Sequence, residues 1–179
     1  MSSKIVFITG GSRSGKSGFA LNAASALPGR KGFIATATAV DEEMRERIAR
    51  HRAARGAAWD TIEESLQLAK AVEEATGTFD VLVVDCLTVW LSNVMWSGLD
   101  VTKEVETLVC AYEKIRDRRC ISLYTVSNEV GMGIVPANEI ARKFRDIAGI
   151  LNQKIAAVSD DVYLVAAGIP IQIKGKGES

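Results

Sequence analysis

The sequence predicts a single α/β domain in which a mostly parallel sheet is covered by helices on both faces, and two observations support this fold class. Short apolar runs rich in β-branched residues alternate with longer amphipathic segments, as in proteins whose parallel strands are joined by crossover helices. The first run, residues 4–9, leads directly into residues 10–17, which fit the G-x-x-x-x-G-K-[ST] pattern of a phosphate-binding loop. The segment after this octapeptide can continue as a helix, which is the context that the motif requires.

The elements are assigned from apolar periodicity and from residues that begin or end helices. The predicted strands are residues 4–9, 32–37, 79–85, 120–126 and 162–166, with 169–173 as a final edge partner. The predicted helices are residues 17–24, 42–55, 65–75, 101–117 and 136–158, the last opened by Pro136. Ligands of such sheets bind beyond the carboxyl ends of the strands. We therefore expect the phosphate loop, Thr36, Asp85 and Asn128 to lie together at that edge.

Length, charge and composition limit the classes of protein to which the chain can belong. The 179 residues are expected to form one domain, residues 1–179, with residues 174–179 as a frayed tail. Because 22 basic and 22 acidic side chains cancel, net charge favours neither nucleic acid nor an anionic membrane as a partner. No apolar run approaches the roughly 20 residues that span a bilayer, and the first strand leaves no room for a signal peptide, so a cytoplasmic location is expected. Three cysteines without C-x-x-C spacing and one histidine argue against structural zinc and favour buried, reduced thiols.

The chemistry of the octapeptide follows from its glycines and its last two residues. Glycines let backbone N–H groups converge on phosphate oxygens, and the following helix adds the positive end of its dipole. Lys16 would place its charge on the β- and γ-phosphates, and the Ser17 hydroxyl would bind Mg²⁺. The alternative is a surface turn ahead of an ordinary helix. The expected phosphate-binding residues are Gly10, Gly11, Ser12, Arg13, Ser14, Gly15, Lys16 and Ser17.

Two further features are expected at the same edge of the sheet. Asp85 ends a strongly apolar run and matches the carboxylate that holds Mg²⁺ one strand from a phosphate loop; the alternative is an aspartate that caps the next helix. Residues 128–136 follow another strand, and their two glycines and proline indicate a loop of defined backbone geometry. Substrate contact and simple connection both remain open for this 128–136 segment.

His51, the single histidine, allows two interpretations. It shares a predicted helical face with Met44 and Ile48, which is typical of a histidine packed at the edge of a core. A neutral imidazole nitrogen can also attack phosphorus and form a phosphoramidate. Four arginines surround it and suit a polyphosphate, although they can equally form surface ion pairs; they are Arg47, Arg50, Arg52 and Arg55.

Taken together, the motifs resemble one family. The matching segments are residues 9–17, 34–37, 41–44, 47–52, 127–136, 141–142, 144–149 and 152–153, of which 127–136 is far more specific than the phosphate loop. The chain is similar over residues 4–174 to the bifunctional adenosylcobinamide kinase/adenosylcobinamide-phosphate guanylyltransferase family of cobalamin biosynthesis. Asp85 stands where the family can have glutamate, which keeps the charge but shortens the reach of the side chain. Ser12 stands where alanine is often expected, and both residues are small.

The resemblance implies a RecA-like P-loop NTPase core, a homotrimer and two reactions. A nucleoside triphosphate phosphorylates adenosylcobinamide, and GMP then passes from GTP, through a covalent GMP–histidine, to adenosylcobinamide phosphate. The histidine falls on His51, with Lys16 as the second catalytic residue and Mg²⁺ held by Ser17 and Asp85. Beyond the phosphate loop, the nucleotide contacts that the resemblance implies fall on Ala35, Thr36, Ala37, Arg52, Ala53, Ala54, Arg55, Glu63 and Asp85.

Three alternatives compete with this interpretation. A plain P-loop kinase without a covalent step would need neither His51 nor the 128–136 segment. A nucleotide-dependent switch protein is disfavoured because residues 152–155 do not fit the guanine-reading N-K-x-D motif. A corrinoid-binding carrier with a relict phosphate loop would not turn over nucleotide.

Overall fold

The computed structural model of the protein describes residues 3–38 and 56–175. The strands are β1 (Ile5–Thr9), β2 (Lys31–Ala35), β3 (Trp59–Glu63), β4 (Val81–Asp85), β5 (Ser122–Val126), β6 (Asp161–Ala166) and β7 (Ile169–Lys174). The helices are α1 (Lys16–Ser25), α2 (Leu68–Ala75), α3 (Leu87–Ser97), α4 (Val101–Arg118) and α5 (Glu139–Val158). The predicted α/β class is confirmed, with strands and helices alternating along most of the chain.

The strands form one seven-stranded sheet in the order β3-β2-β4-β5-β1-β6-β7. Every neighbouring pair is parallel except β6 and β7, which form an antiparallel hairpin at the margin. β5 lies between β1 and β4, so Asp85 at the end of β4 is two strands from the phosphate loop and not, as expected from the sequence, one strand from it. The carboxyl ends of β1, β2, β4 and β5 therefore meet at one edge of the sheet, and the phosphate loop leaves from its middle.

Alternate side chains of β1 bury against opposite faces of the sheet. Ile5 and Phe7 pack in a core with residues of α2, α3, α4 and α5. Val6 and Ile8 pack in a second core that includes Ala20 of α1. Fully apolar strands of this kind need cover on both faces, and the described helices supply it. None of these helices is long and apolar enough to cross a membrane.

The long helix α5 begins three residues later than its proline predicts. It starts at Glu139 rather than Pro136 because Asn138 is its N-cap, with the side-chain oxygen accepting from the N–H of Ala141 over 3.1 Å. The backbone before the cap is held differently. Arg142 donates to the carbonyl oxygens of Pro136 and Ala137 over 2.9 and 2.6 Å, so these residues belong to the preceding loop.

Two further expectations need correction. Lys174 is not part of a frayed tail, because it ends β7 and donates to the carbonyl oxygens of Ala156 and Ala157; residues 176–179 lie outside the described residues. The three cysteines are free, but only Cys86 is buried, while Cys110 and Cys120 are exposed. Cys110 lies on the outer face of α4 and Cys120 precedes β5, where the apolar pattern alone did not separate inside from outside.

Two elements have no counterpart among the predictions. β3 is a short strand with mostly half-buried or exposed residues, so its apolar signal is weak. α3 is apolar nearly all round and buries Leu87, Trp90 and Leu91, so it shows no amphipathic stripe. The helix predicted over residues 42–55 lies outside the described residues.

Candidate active site

The phosphate loop joins β1 to α1 in the conformation that its glycines allow. Gly15 is the N-cap of α1 with φ +99°, a left-handed conformation that glycine adopts without strain. The N–H of Ser14 donates to the carbonyl oxygen of Gly11 over 3.3 Å, and the N–H of Phe19 to that of Gly15 over 3.0 Å. The first backbone N–H groups of α1 thus face the loop, as in an anion-binding helix start.

The β6–β7 turn supports the phosphate loop from one side. The N–H of Gly168 donates to the carbonyl oxygen of Ser14 over 2.9 Å. A Cβ atom on Gly10, whose φ is +148°, would lie 2.3 Å from the carbonyl oxygen of Val165. Glycine at position 10 is therefore required by the close approach of the β6 backbone.

Lys16 lies inside the loop that precedes it. Its side chain is buried, and its ammonium group donates to the carbonyl oxygen of Gly11 over 2.5 Å and to the Ser14 hydroxyl over 3.5 Å. Burial lowers the pKa of this ammonium, while Cys86 and Asp85 act in the opposite direction. A desolvated cation enclosed by backbone is well suited to bind a polyphosphate, whose charge replaces the lost water.

Three predicted nucleotide contacts share one row across the sheet. Ala35 at the end of β2 is in register with Glu63 at the end of β3 and with Asp85 at the end of β4. The next residue, Thr36, donates its N–H to the carbonyl oxygen of Asp85 over 3.2 Å. The structure thus brings these residues to the carboxyl edge, as the sequence predicts for Thr36 and Asp85, and Ala37 follows them.

The Thr36 side chain is fully buried and joins the end of β2 to the residue after β4. Its hydroxyl donates to the carbonyl oxygen of Cys86 and accepts from the N–H of Cys86, both over 2.8 Å. The side chain of Asn93 in α3 donates to the carbonyl oxygens of Thr36 and Ser65 over 2.9 and 3.2 Å. These bonds fix the ends of β2 and β4 relative to each other. The buried Thr36 side chain therefore helps to hold the strand ends that form this edge of the sheet.

Ser17 and Asp85 both carry oxygen groups of the kind that Mg²⁺ binds. Within residues 3–38 and 56–175, neither the Ser17 hydroxyl nor the Asp85 carboxylate makes a hydrogen bond, so both oxygen groups are free to bind a cation. Mg²⁺ prefers oxygen ligands and commonly takes only one or two from the protein, with substrate phosphates and water completing its shell. The described residues contain no cluster of three or more histidine, cysteine or acidic side chains that could hold a metal ion.

The 128–136 segment is attached to the site at its first two residues. The Asn128 side chain donates to the Thr88 hydroxyl over 2.8 Å, and its carbonyl oxygen accepts from the side chain of Asn152 over 3.2 Å. The N–H of Glu129 donates to the carbonyl oxygen of Gly10 over 2.9 Å. Thr88 and Asn152 were not predicted to have this role, although polar residues on otherwise apolar helical faces are a usable signal.

The structure describes some of the site residues that the sequence predicts, and others lie outside the described residues. The structure places the loop residues, Ala35, Thr36, Ala37, Glu63 and Asp85 along one edge. Glu63 is exposed at the margin strand and thus farthest from the loop along the sheet. Outside the described residues lie His51, Arg52, Ala53, Ala54 and Arg55.

The strand order, the phosphate loop and the acid at the end of β4 define a P-loop nucleotide-binding protein. Solved structures agree with this fold. The RadB recombinase superposes with a TM-score of 0.55 at 13% identity, covering 91% of this chain and 74% of that chain. An ATPase of a bacterial type III secretion system superposes with a TM-score of 0.50 at 15% identity, covering 91% and 51% of the two chains.

The chain belongs to the cobinamide kinase / cobinamide phosphate guanyltransferase family, whose model matches residues 6–173. It is 41% identical over 173 residues to the bifunctional adenosylcobalamin biosynthesis protein CobP of Pseudomonas aeruginosa, covering 94% of this chain and 96% of that protein. It is 35% identical over 189 residues to the bifunctional adenosylcobalamin biosynthesis protein CobU of Escherichia coli, covering 95% and 99%. The resemblance stated from the sequence is therefore confirmed.

Proposed function

We propose that the protein phosphorylates the aminopropanol hydroxyl of adenosylcobinamide with ATP or GTP and then transfers GMP from GTP to the product, giving adenosylcobinamide-GDP. One observation carries the proposal: a chain that matches this bifunctional family over residues 6–173 also encloses the Lys16 ammonium within its phosphate loop. An intact, desolvated lysine in that position supports turnover of nucleotide and weighs against a corrinoid carrier with a relict loop.

The two reactions use the same phosphate-binding loop but take place at different phosphorus atoms of the triphosphate. Lys16 and the N–H groups at the start of α1 stabilise negative charge that develops on the phosphate oxygens during either transfer. When bound by Ser17 and Asp85, Mg²⁺ would neutralise further charge on the phosphates. The protein residues hold the triphosphate in place, so the choice between the γ- and α-phosphorus depends on which nucleophile reaches it.

For guanylyl transfer we assign the nucleophile to His51, which lies outside the described residues. A nitrogen lone pair of the neutral imidazole attacks the α-phosphorus, and pyrophosphate leaves as the P–O bond breaks. The phosphate oxygen of the corrinoid then attacks the same phosphorus and displaces the imidazole. Support comes from the family match and the sequence motif around His51. The nucleotide contacts proposed alongside it are Ala35, Thr36, Ala37, Arg52, Ala53, Ala54, Arg55 and Glu63.

Mass spectrometry of the protein after incubation with GTP and Mg²⁺ tests the covalent step. We expect a GMP adduct on His51 that disappears when adenosylcobinamide phosphate is added. His51→Ala should abolish labelling by α-labelled GTP while kinase activity is retained. Equal labelling of the variant would refute the assignment, and kinase activity in a wild type that never labels would favour the plain P-loop kinase. Chelation of Mg²⁺ should suppress both reactions.

A homotrimer and a cytoplasmic location also remain proposals, and sedimentation tests the homotrimer.

A further inference from the structure

Glu129 is a carboxylate at the nucleotide edge to which no role has been assigned. It follows β5, the strand beside β1, and is half-buried. Its backbone N–H donates to the carbonyl oxygen of Gly10 over 2.9 Å. This main-chain bond places Glu129 directly against the first residue of the phosphate loop.

The other described carboxylates of this edge lie farther along the sheet from the loop. Asp85 ends β4, two strands from β1, and Glu63 ends β3, four strands from β1. With strands about 4.8 Å apart, these distances are about 10 Å and about 19 Å. Asp85 is also the expected magnesium ligand. Glu129 is therefore the described acid best placed to face a group that approaches the end of a bound triphosphate.

The Glu129 side chain is held in a way that leaves one oxygen available. Its Oε1 atom accepts from the N–H of Gly131 over 2.7 Å. The Oε2 atom makes no hydrogen bond within the described part of the chain. A Cβ atom on residue 131 would lie 3.0 Å from Oε1, so glycine at that position lets the carboxylate fold back onto the backbone. The geometry combines a fixed carboxylate with a free basic oxygen.

The residue before Glu129 is fixed as well. Asn128 bonds to Thr88 of α3 through its side chain and to Asn152 of α5 through its carbonyl oxygen. Glu129 thus follows a residue anchored to two helices and is itself bonded to the phosphate loop. Anchoring of this kind keeps a reacting group within the narrow range of positions that proton transfer requires.

We propose that Glu129 accepts the proton of the acceptor hydroxyl during phosphoryl transfer, an inference that rests on the kinase activity proposed above. The hydroxyl oxygen forms a bond to the γ-phosphorus while the bond from that phosphorus to the β–γ bridging oxygen breaks. The nucleoside diphosphate leaves with the bridging oxygen. The hydroxyl proton passes to Oε2 of Glu129, and its bonding electrons stay on the attacking oxygen.

The guanylyl steps provide an internal comparison because neither requires removal of a hydroxyl proton. A neutral imidazole attacks through its nitrogen lone pair, and an ionised phosphate monoester attacks through an oxyanion. Loss of the Glu129 base should therefore slow the kinase reaction alone. Damage to the phosphate loop would instead slow both reactions, because both depend on the same bound triphosphate.

The variant Glu129→Gln separates these outcomes in the full-length protein. Glutamine keeps an Oε1 acceptor for the N–H of Gly131 but removes the charge and the basicity. With ATP, Mg²⁺ and adenosylcobinamide, we expect kcat to fall about 100-fold or more, with KM for ATP nearly unchanged. Labelling of the protein by α-labelled GTP should stay within about twofold of wild type. Glu106→Gln, an exposed change on α4, is the matched control and should alter neither reaction.

Three results would overturn the inference. One is a kinase kcat for Glu129→Gln within about threefold of wild type, since proton transfer by a side chain is usually worth far more. Another is an equal loss of phosphorylation and labelling, which would make Glu129 a support of the loop. The third is recovery of the kinase rate at high Mg²⁺ concentration, which would make it a metal ligand. Failure of the proposed function itself would appear in the wild type, as a protein that turns over no corrinoid.

Discussion

The phosphate loop and the 128–136 segment leave neighbouring strands at the same edge, yet they are held in different ways. The phosphate loop is supported by the rest of the fold at three of its residues. Gly10 lies against the backbone of Val165, the carbonyl oxygen of Ser14 accepts from the N–H of Gly168, and Lys16 is buried. Gly10, Ser14 and Lys16 are therefore constrained by the fold, whatever ligand the loop binds.

The 128–136 segment is anchored at its start and then projects into solvent. After the bonds of Asn128 and Glu129, residues 131–135 are exposed, with 97% of Ile134 and 77% of Met132 accessible. These side chains contribute little to the core, so the fold does not dictate them. The comparison teaches that substitutions at the supported loop residues act on folding and binding, whereas substitutions in the exposed part of the segment should leave the stability of the fold nearly unchanged.

Gly10→Ala should have the largest effect. The new Cβ atom would meet the carbonyl oxygen of Val165 at 2.3 Å, at a φ of +148° that side chains rarely adopt. Strain and overpacking together should cost about 3 to 5 kcal/mol of unfolding free energy. Urea unfolding measures this loss. Gly18→Ala is the matched control, because its Cβ meets nothing within 4 Å and alanine should stabilise α1 by up to about 1 kcal/mol. Equal stability of the two variants would contradict the argument.

Lys16→Met should affect activity strongly and stability little. Loss of the buried ammonium removes charge stabilisation from both transfers, so each rate should fall about 100-fold or more. Burial lowers the pKa of Lys16, which means that the folded protein disfavours the charged form of this side chain when no phosphate is bound. The unfolding free energy should therefore equal or exceed that of wild type. Lys70→Met, on the exposed side of α2, should leave both rates unchanged. A destabilised Lys16→Met protein would show that the lysine supports the loop.

The sequence could predict the phosphate loop and the strand ends around it because they carry strong local signals. The octapeptide has defined residues, and Asp85 follows a continuous apolar run. The insertion of β5 between β1 and β4 could not be predicted from local pattern, because strand order depends on long-range packing. The Thr36 bonds to Cys86 could not be predicted from the sequence either. They join residues 50 positions apart, and nothing in the local pattern around Thr36 predicts them.

Ile134→Ser should have the smallest effect on the fold. It is also the most direct test of whether the 128–136 segment differs from the phosphate loop in how it is constrained. Because 97% of the Ile134 side chain is exposed, its replacement should change the unfolding free energy by no more than about 0.5 kcal/mol. Ile155→Ser in α5 is the matched control, since Ile155 is fully buried and its replacement should cost about 3 to 5 kcal/mol. If KM for adenosylcobinamide rises in Ile134→Ser while stability is kept, the side chain acts on the corrinoid. If Ile134→Ser instead unfolds as easily as Ile155→Ser, Ile134 must be buried against a second subunit, and the segment would be constrained by packing as the phosphate loop is.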